Sequence, residues 1–412
     1  MIFYILICGI SAIVTFSLAF AILKLSHRYR LYPKIRERDM HSRPTPRLGG
    51  IAMFLGMVVA FAVASQIPTF SLVFSEPLKV IGILVGSLII VLIGVADDLW
   101  DLDWVTKLAG QIIAAGVLAY SGIQIYTLPV LGGVTILPLS FSLVLTVLII
   151  VLVMNAINFI DGLDGLVAGV ALIANGVFFI YSYFLAISNN TEYFNLASLI
   201  TAVLIGACIG FLPLNFHPAK LFMGDAGALL VGLLMAASAI SVTGQVDPQN
   251  WTYGGLLLPA LLPILVPFAV LIIPLLDFAM AVIRRLLAGK SPFAADRKHL
   301  HHRLIDMGHS HLQAVLIFYG WTASFSLGIL AFLFLPWQSA GIVVGIALVV
   351  CTAITLLPLS RRSRALGDAA LGGPAEVNAI LEAQVQEALD AIPATPTGTT
   401  TTAEPRNEGA TP

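Results

Sequence analysis

The chain is 412 residues long, 58 % hydrophobic and only 10 % charged, with a formal net charge of −1 and a mean hydropathy of +0.97. A soluble domain carries about 25 % charged residues, so a water-soluble enzyme is excluded and a polytopic membrane protein remains. The three cysteines, Cys8, Cys208 and Cys351, sit in apolar runs without metal-ligand spacing, which argues against a disulfide framework and against a thiolate zinc site.

Apolar stretches of near-spanning length run over 2–24, 49–66, 78–96, 107–121, 139–157, 165–187, 195–213, 226–243, 255–283, 313–336 and 339–358. A span takes about 20 residues, so the fourth is short and the ninth long. The ninth holds Pro259, Pro263, Pro267 and Pro274, which predicts a kinked or broken helix. The first stretch has no small-residue cleavage site and leads into a basic loop, so it reads as a retained helix. The expectation is an all-α protein of about eleven transmembrane helices over residues 1–360, followed by a tail, 361–412. Twenty of the 21 Lys and Arg residues fall in 24–48, 97–107, 214–224, 284–312 and 359–412. Alternating spans put these stretches on one side, leaving Lys79 alone on the other. Basic loops face the cytoplasm, so the N-terminus is expected outside and the C-terminus in the cytoplasm.

The polar chemistry collects on that same cytoplasmic side. First comes "DDLWDLD", with Asp97, Asp98, Asp101 and Asp103. Paired aspartates at a helix end are commonly solvated termini. Asp97 and Asp98 follow their helix, however, where its dipole is negative and disfavours them. A cation should compensate, and Mg²⁺, which takes carboxylate and phosphate oxygens, is the economical one. Next, "NAINFIDGLDG" places Asn155, Asn158, Asp161 and Asp164 three residues apart, along one side of a helix or tight turn. A carboxylate at the centre of a membrane helix costs roughly 2.5–3.5 kcal/mol, so such groups face a bundle interior or a wet cavity. The plainer reading is a polar cluster that only packs helices together. Then Asp225 stands between Gly224 and Gly227, either as a helix cap or as a metal holder beside amides that suit phosphate.

Last, five of the eight histidines lie within 299–311, namely His299, His301, His302, His309 and His311. "HLHH" is flanked by Arg297, Lys298 and Arg303. A solvated basic loop, a zinc site and a phosphate clamp are the three readings. The zinc site is weakened by the lack of nearby cysteine and by the hard oxygen ligands elsewhere. The outer loops are short and bland. Carboxylates for Mg²⁺ and a basic, histidine-rich loop at the membrane surface together point to phosphoryl transfer. The partners would be a nucleotide-activated group and a lipid phosphate, with no nucleic acid involved. An ion-coupled transporter is the competing class, but it calls for matching repeats and midplane charges that the two halves do not show.

The combination of "PRLGG" (Pro46–Gly50), "GVADDLWDL", "NAINFIDGLDGL", "NFHPAKLFMGDAGALLVG", "PLLDF" and "RKHLHHRL" resembles the polyprenyl-phosphate N-acetylhexosamine-1-phosphate transferases, over residues 1 to about 358. In the sister branch, phospho-N-acetylmuramoyl-pentapeptide transferase, three histidines are consecutive. Here a leucine interrupts them, which favours the N-acetylglucosamine branch. The pentapeptide transferase remains the alternative of the same family. The resemblance implies UDP-N-acetylhexosamine and a polyprenyl phosphate as substrates, Mg²⁺ (or Mn²⁺) as cofactor, and a bacterial plasma membrane location with the active site facing the cytoplasm. It implies the first lipid-linked step of an envelope polysaccharide, and a homodimer is open to such a chain.

Residue by residue, the resemblance makes Asp225 the principal metal ligand, with Asp98 beside the metal and the diphosphate and Asp97 the proposed base. Asn158, Asp161 and Asp164 match the nucleotide and active-site group, and Asn215 with Phe222 the uridine pocket. Lys298, His299, His301, His302 and Arg303 match the loop over the diphosphate and sugar, the three histidines among its catalytic groups. The first loop departs from the muramoyl branch's lysine and threonine pattern, so Arg43 and Arg47 are matched only loosely. In the tail, Val377, Ile380, Leu381, Val385 and Leu389 share one face and predict an amphipathic helix over 375–391. The remainder is polar and Thr-rich and is expected to be disordered.

Overall fold

A computed structural model describes residues 1–29, 45–130, 133–188, 195–243, 257–287, 289, 300–371 and 382. The chain divides into two compact units, Met1–Leu356 and Leu357–Pro412. The first unit contains everything discussed below.

Apart from one hairpin, its described residues form helices. These are α1 (Ile2–Tyr29), α2 (Gly49–Ala64), α3 (Ser71–Ser75), α4 (Pro77–Trp100), α5 (Trp104–Tyr120), α6 (Leu139–Ile160), α7 (Leu166–Ser188) and α8 (Asn195–Asn215). There follow α9 (Gly224–Thr243), α10 (Leu257–Leu287), α11 (Leu300–Asp306), α12 (His311–Phe334) and α13 (Trp337–Leu371), the last of which runs on into the second unit. The hairpin pairs β1 (Thr127–Val130) antiparallel with β2 (Gly133–Ile136).

Local chemistry sets the helix ends that matter. Pro77 opens α4, where its missing N–H has no ladder partner to lose. α4 stops at Asp101, whose φ of +54° is left-handed. Two residues later the Asp103 carboxylate accepts from the Val105 and Thr106 amides, each at 3.0 Å, and caps α5. Ser310 and Gln313 form a reciprocal capping box on α12. The short α11 is capped from outside: the Leu300 amide donates to Asp277 Oδ1 at 2.8 Å, and Asp277 is fully buried in α10.

Among the described residues, nine helices are long and apolar enough to cross a membrane, or ten if the bent pair Gly49–Ala64 and Pro68–Ser75 counts as one span. The expectation of about eleven is therefore met only in part. The stretch 107–121 falls in α5, a helix of only 17 residues that the Asp103 cap starts at Trp104. Of the two outcomes expected for the ninth stretch, a break does not occur, since α10 is one helix through all four prolines. Those prolines recur at steps of four, four and seven residues, so they share one face and each removes only its own ladder donor. The predicted helix 375–391 lies outside the described residues apart from Glu382.

α9 is the hub. It is buried along nearly its whole length and packs against α2, α4, α6 and α8. In lipid there is little hydrophobic drive between helices, so close backbone approach has to supply the contact. Small residues allow it: a Cβ at Gly50 would collide with the Gly227 amide, and one at Gly94 with the Ala226 backbone. Both crossings fall at the N-terminus of α9. Two close backbone approaches thus meet where Asp225 stands.

Candidate active site

Three backbone hydrogen bonds join the segment before α2 to the segment before α9. Phe222 N–H donates to the Pro46 carbonyl at 2.8 Å, and Gly49 and Gly50 donate to the carbonyls of Phe222 and Met223, each at 3.0 Å. This ribbon delivers Arg47 and Asp225 to the same place. Gly224, at φ +68°, turns the chain into α9. A side chain there would strike the Arg47 carbonyl and the Asp98 carboxylate, so only glycine fits.

Asp98 reaches over from the end of α4 and caps α9: its Oδ1 accepts from the Asp225 amide at 3.3 Å and its Oδ2 from the Ala226 amide at 3.5 Å. A carboxylate is favoured there by unsatisfied amides and the positive helix end. This resolves the misplaced-charge problem at the end of α4, because the same acid that sits badly on its own helix sits well on another. Asp225 is held on both oxygens. Asn158 Nδ2 donates to Oδ1 at 3.0 Å, and the Lys107 ammonium pairs with Oδ2. Lys107 also lies 3.5 Å from Asp97 Oδ2. Asp97, Asp98, Asn158 and Asp225, from three helices, therefore meet around one lysine.

The polar stripe across the end of α6 divides in two. Asn155 is helix glue: it exchanges hydrogen bonds with Gln111 of α5, at 2.6 and 3.4 Å, and donates back to Val151. Asn158 faces Asp225. Asp161 is half-buried just past α6, and burial, with the charges of Asp98 and Asp164 against the opposing charge of Arg47, pushes it up to about 7. Asp164 is buried and committed to the protein, with its Oδ2 2.8 Å from His217 Nδ1 and accepting from the Ala219 amide at 3.0 Å. Asn215 is likewise spent, accepting from Gly165 N–H at 3.1 Å and donating to the Leu221 carbonyl at 3.0 Å. Tyr319 O–H donates to the Gly165 carbonyl at 2.6 Å. The loop 161–165 is thereby clamped to 215–221.

Two expected outcomes arise here. Asp161 holds a proton in the folded protein at pH values where the unfolded chain has lost it, so its contribution to stability is full below about pH 4 and is lost as pH rises through about 7. Asp161→Asn removes that loss. In EDTA, its melting temperature should exceed that of the unchanged protein at pH 8, with the gap narrowing toward pH 4. A gap independent of pH would contradict the assignment. Asn215→Ala orphans a buried amide and a buried carbonyl, at about 1–3 kcal/mol for each buried group left unsatisfied, and frees one loop from the other. It should lower the melting temperature, as read by thermal unfolding.

The structure describes only part of the histidine-rich stretch. Lys298 and His299 lie outside the described residues, as do Arg43 and the side chain of His301. His302 is half-buried and Arg303 exposed on α11, which Asp277 ties to α10. His309 is buried with its Nε2 2.9 Å from the Thr355 carbonyl, and His311 stacks on His217 at 5.7 Å. Those two serve packing beside the site. The sequence reading underrated Lys107, Arg47, Gln111, His217, Tyr319 and Asp277. Lys107 carried a visible signal as the one basic residue in 97–107.

Among the described residues, no three Asp, Glu, His or Cys side chains are arranged to hold a metal by themselves. Mg²⁺ does not require that, since it keeps waters and uses one or two carboxylates plus substrate phosphates. Asp225 and Asp98 offer hard oxygens, and the Lys107 ammonium already stands as a cation between Asp97 and Asp225. The donor set fits Mg²⁺.

Residues 80–243, which include every one of these groups except those at 43–50 and those from Asp277 onward, match the model of glycosyl transferase family 4. Decaprenyl-phosphate N-acetylglucosaminephosphotransferase of Mycolicibacterium smegmatis is 41 % identical over 357 residues, covering 85 % of this chain and 87 % of that protein. The chain belongs to glycosyl transferase family 4. Undecaprenyl-phosphate alpha-N-acetylglucosaminyl 1-phosphate transferase of Yersinia pestis is 29 % identical, over 73 % of this chain and 77 % of its own length. A phospho-N-acetylmuramoyl-pentapeptide-transferase of Halalkalibacterium halodurans is 30 % identical over 80 % and 96 %. Within family 4 the chain therefore stands with the polyprenyl-phosphate N-acetylglucosamine-1-phosphate transferases, and the pentapeptide branch is more distant. It is a multi-pass membrane enzyme, and the transporter reading falls away.

Proposed function

We propose that the protein moves N-acetylglucosamine-1-phosphate from UDP-N-acetylglucosamine to decaprenyl phosphate or a similar polyprenyl phosphate, releasing UMP. In the direct form of this reaction an oxygen of the lipid phosphate bonds to the sugar-bearing phosphorus, and the bond from that phosphorus to UMP breaks. The product is the polyprenyl-diphospho-sugar that starts an envelope polysaccharide. The observation that carries the reading is the meeting of Asp97, Asp98, Asn158 and Asp225 around Lys107 at the mouth of α9.

Asp225 and Asp98 would hold Mg²⁺, or Mn²⁺ in its place, which when bound offsets charge on the diphosphate. Asn158 fixes the rotamer of Asp225, and Asp98 fixes the start of α9. A phosphate monoester has its second pKa near 6, so most of the acceptor is dianionic at neutral pH and needs no base. Asp97 then serves mainly to position groups. Asp161, with Asp164 and Asn215 behind it, shapes the nucleotide side together with Phe222. The loop bearing Lys298, His299, His301, His302 and Arg303 supplies cations and donors over the diphosphate.

The basic loops orient the chain with its N-terminus outside and this site on the cytoplasmic face of a bacterial plasma membrane. In that reading α5 and the bent pair at 49–75 complete eleven crossings. The test is an assay of purified protein with radiolabelled UDP-N-acetylglucosamine, polyprenyl phosphate and Mg²⁺. Label should enter a butanol-extractable lipid as UMP appears, EDTA should stop it, and UDP-N-acetylmuramoyl-pentapeptide should be a poor donor. Failure to label lipid from N-acetylglucosamine, with success from the pentapeptide nucleotide, would move the enzyme to the sister branch.

A further inference from the structure

Lys107 is placed as a metal ion would be. Its root is rigid: it is the fourth residue of α5, whose start is fixed by the Asp103 cap, and its own amide donates to the Asp103 carbonyl at 3.2 Å. Its tip is not rigid, because the ammonium rides on a flexible four-carbon stem. That tip joins Asp97 of α4 to Asp225 of α9. Both carboxylates are largely shielded from solvent, with 9 % and 24 % of their side-chain surface exposed. Asp98 also packs here on the Asp225 amide. Carboxylates crowded in a poorly solvated place repel one another and demand a cation.

The two oxygens of Asp225 are treated differently. Oδ1 takes a neutral donor, Asn158, which can stay when a metal arrives, whereas Oδ2 takes the charged ammonium. An ammonium and a divalent ion cannot share that oxygen without strong mutual repulsion.

We propose that Lys107 is an internal stand-in for the divalent cation, holding Asp97 and Asp225 in place in the metal-free protein and leaving Asp225 when the metal binds. This rests on the metal reading of the proposed function and adds to it a positioning residue with a defined exchange. The exchange explains how three helices can present an acidic pocket that is assembled before any metal enters. It also makes metal affinity a competition, weaker than the carboxylates alone would give.

The experiment uses the full chain in detergent without substrate and follows Mn²⁺ by its EPR signal. Lys107→Met should bind Mn²⁺ at least about tenfold more tightly than the unchanged protein, the factor that 1.4 kcal/mol of relieved competition gives. It should also melt at a lower temperature in EDTA and recover most of that loss in Mn²⁺. Equal or weaker Mn²⁺ binding by Lys107→Met overturns the exchange. If neither protein binds Mn²⁺ better than Asp225→Asn does, the metal site itself fails and the exchange with it. A second measurement needs no variant: acetylation of Lys107 by an amine-reactive reagent, read by mass spectrometry, should rise when Mg²⁺ is added. Unchanged or reduced labelling would mean that the ammonium stays on Asp225, and the proposal falls.

Discussion

Asp225→Asn is expected to lower UMP release by about a thousandfold or more while leaving the protein folded, since the change removes several kcal/mol of charge stabilisation from the transferring phosphoryl group. The substitution is nearly isosteric, and the new amide oxygen can still accept from Asn158. What is lost is the negative charge that pairs with Lys107 and would bind a divalent cation. Lys107 keeps its contact with Asp97, and the Asp98 bonds go to the residue 225 and 226 amides rather than to the side chain, so the start of α9 is retained. Parallel melting curves would separate lost chemistry from lost structure. Residual activity above about a tenth of normal would remove Asp225 from the centre of the mechanism.

The second large effect is expected at an uncharged glycine beside the acidic cluster. Gly94 lies one turn before Asp97 on α4, and a Cβ there would drive into the backbone of Ala226. Backbone cannot swing aside as a flexible side chain does, so α4 and α9 must separate. Overpacking of this kind costs about 1–3 kcal/mol, and the displacement falls on the bonds between Asp98 and the Asp225 and Ala226 amides. Gly94→Ala should therefore lower turnover by about a hundredfold, as expected when catalytic groups shift by about 1 Å, together with a lower melting temperature. Gly116→Ala on α5 is the matched control, because nothing lies within 4 Å of a Cβ built there, and it should leave both unchanged. Equal effects from the two substitutions would refute the close-approach argument.

Several features of the site need the fold before they can be seen. The spacing of Asn155, Asn158, Asp161 and Asp164 marked a polar face but could not divide it. The plain reading, helix glue, is right for Asn155 with its partner Gln111, while Asn158 turns to Asp225. Whether a polar group packs helices or faces a substrate depends on what stands opposite, and that partner is 44 residues away in one case and 67 in the other. The histidines show the same dependence: His309 and His311 share composition with "HLHH" but stand against Thr355 and His217.

What the sequence determined by itself is the class and the chemistry. Apolar runs of spanning length, basic residues that but for Lys79 fall in a few loops of one parity, and acidic motifs beside basic ones allow few other outcomes, because lipid penalises every unsatisfied polar group and so writes its constraint locally along the chain. The tertiary structure alone decided that Asp98 caps a helix 127 residues away, that Arg47 is carried in by a backbone ribbon, and that Lys107 sits between Asp97 and Asp225. These are long-range relations set by how closely glycine-lined helices can approach, and hydropathy and spacing do not encode that distance.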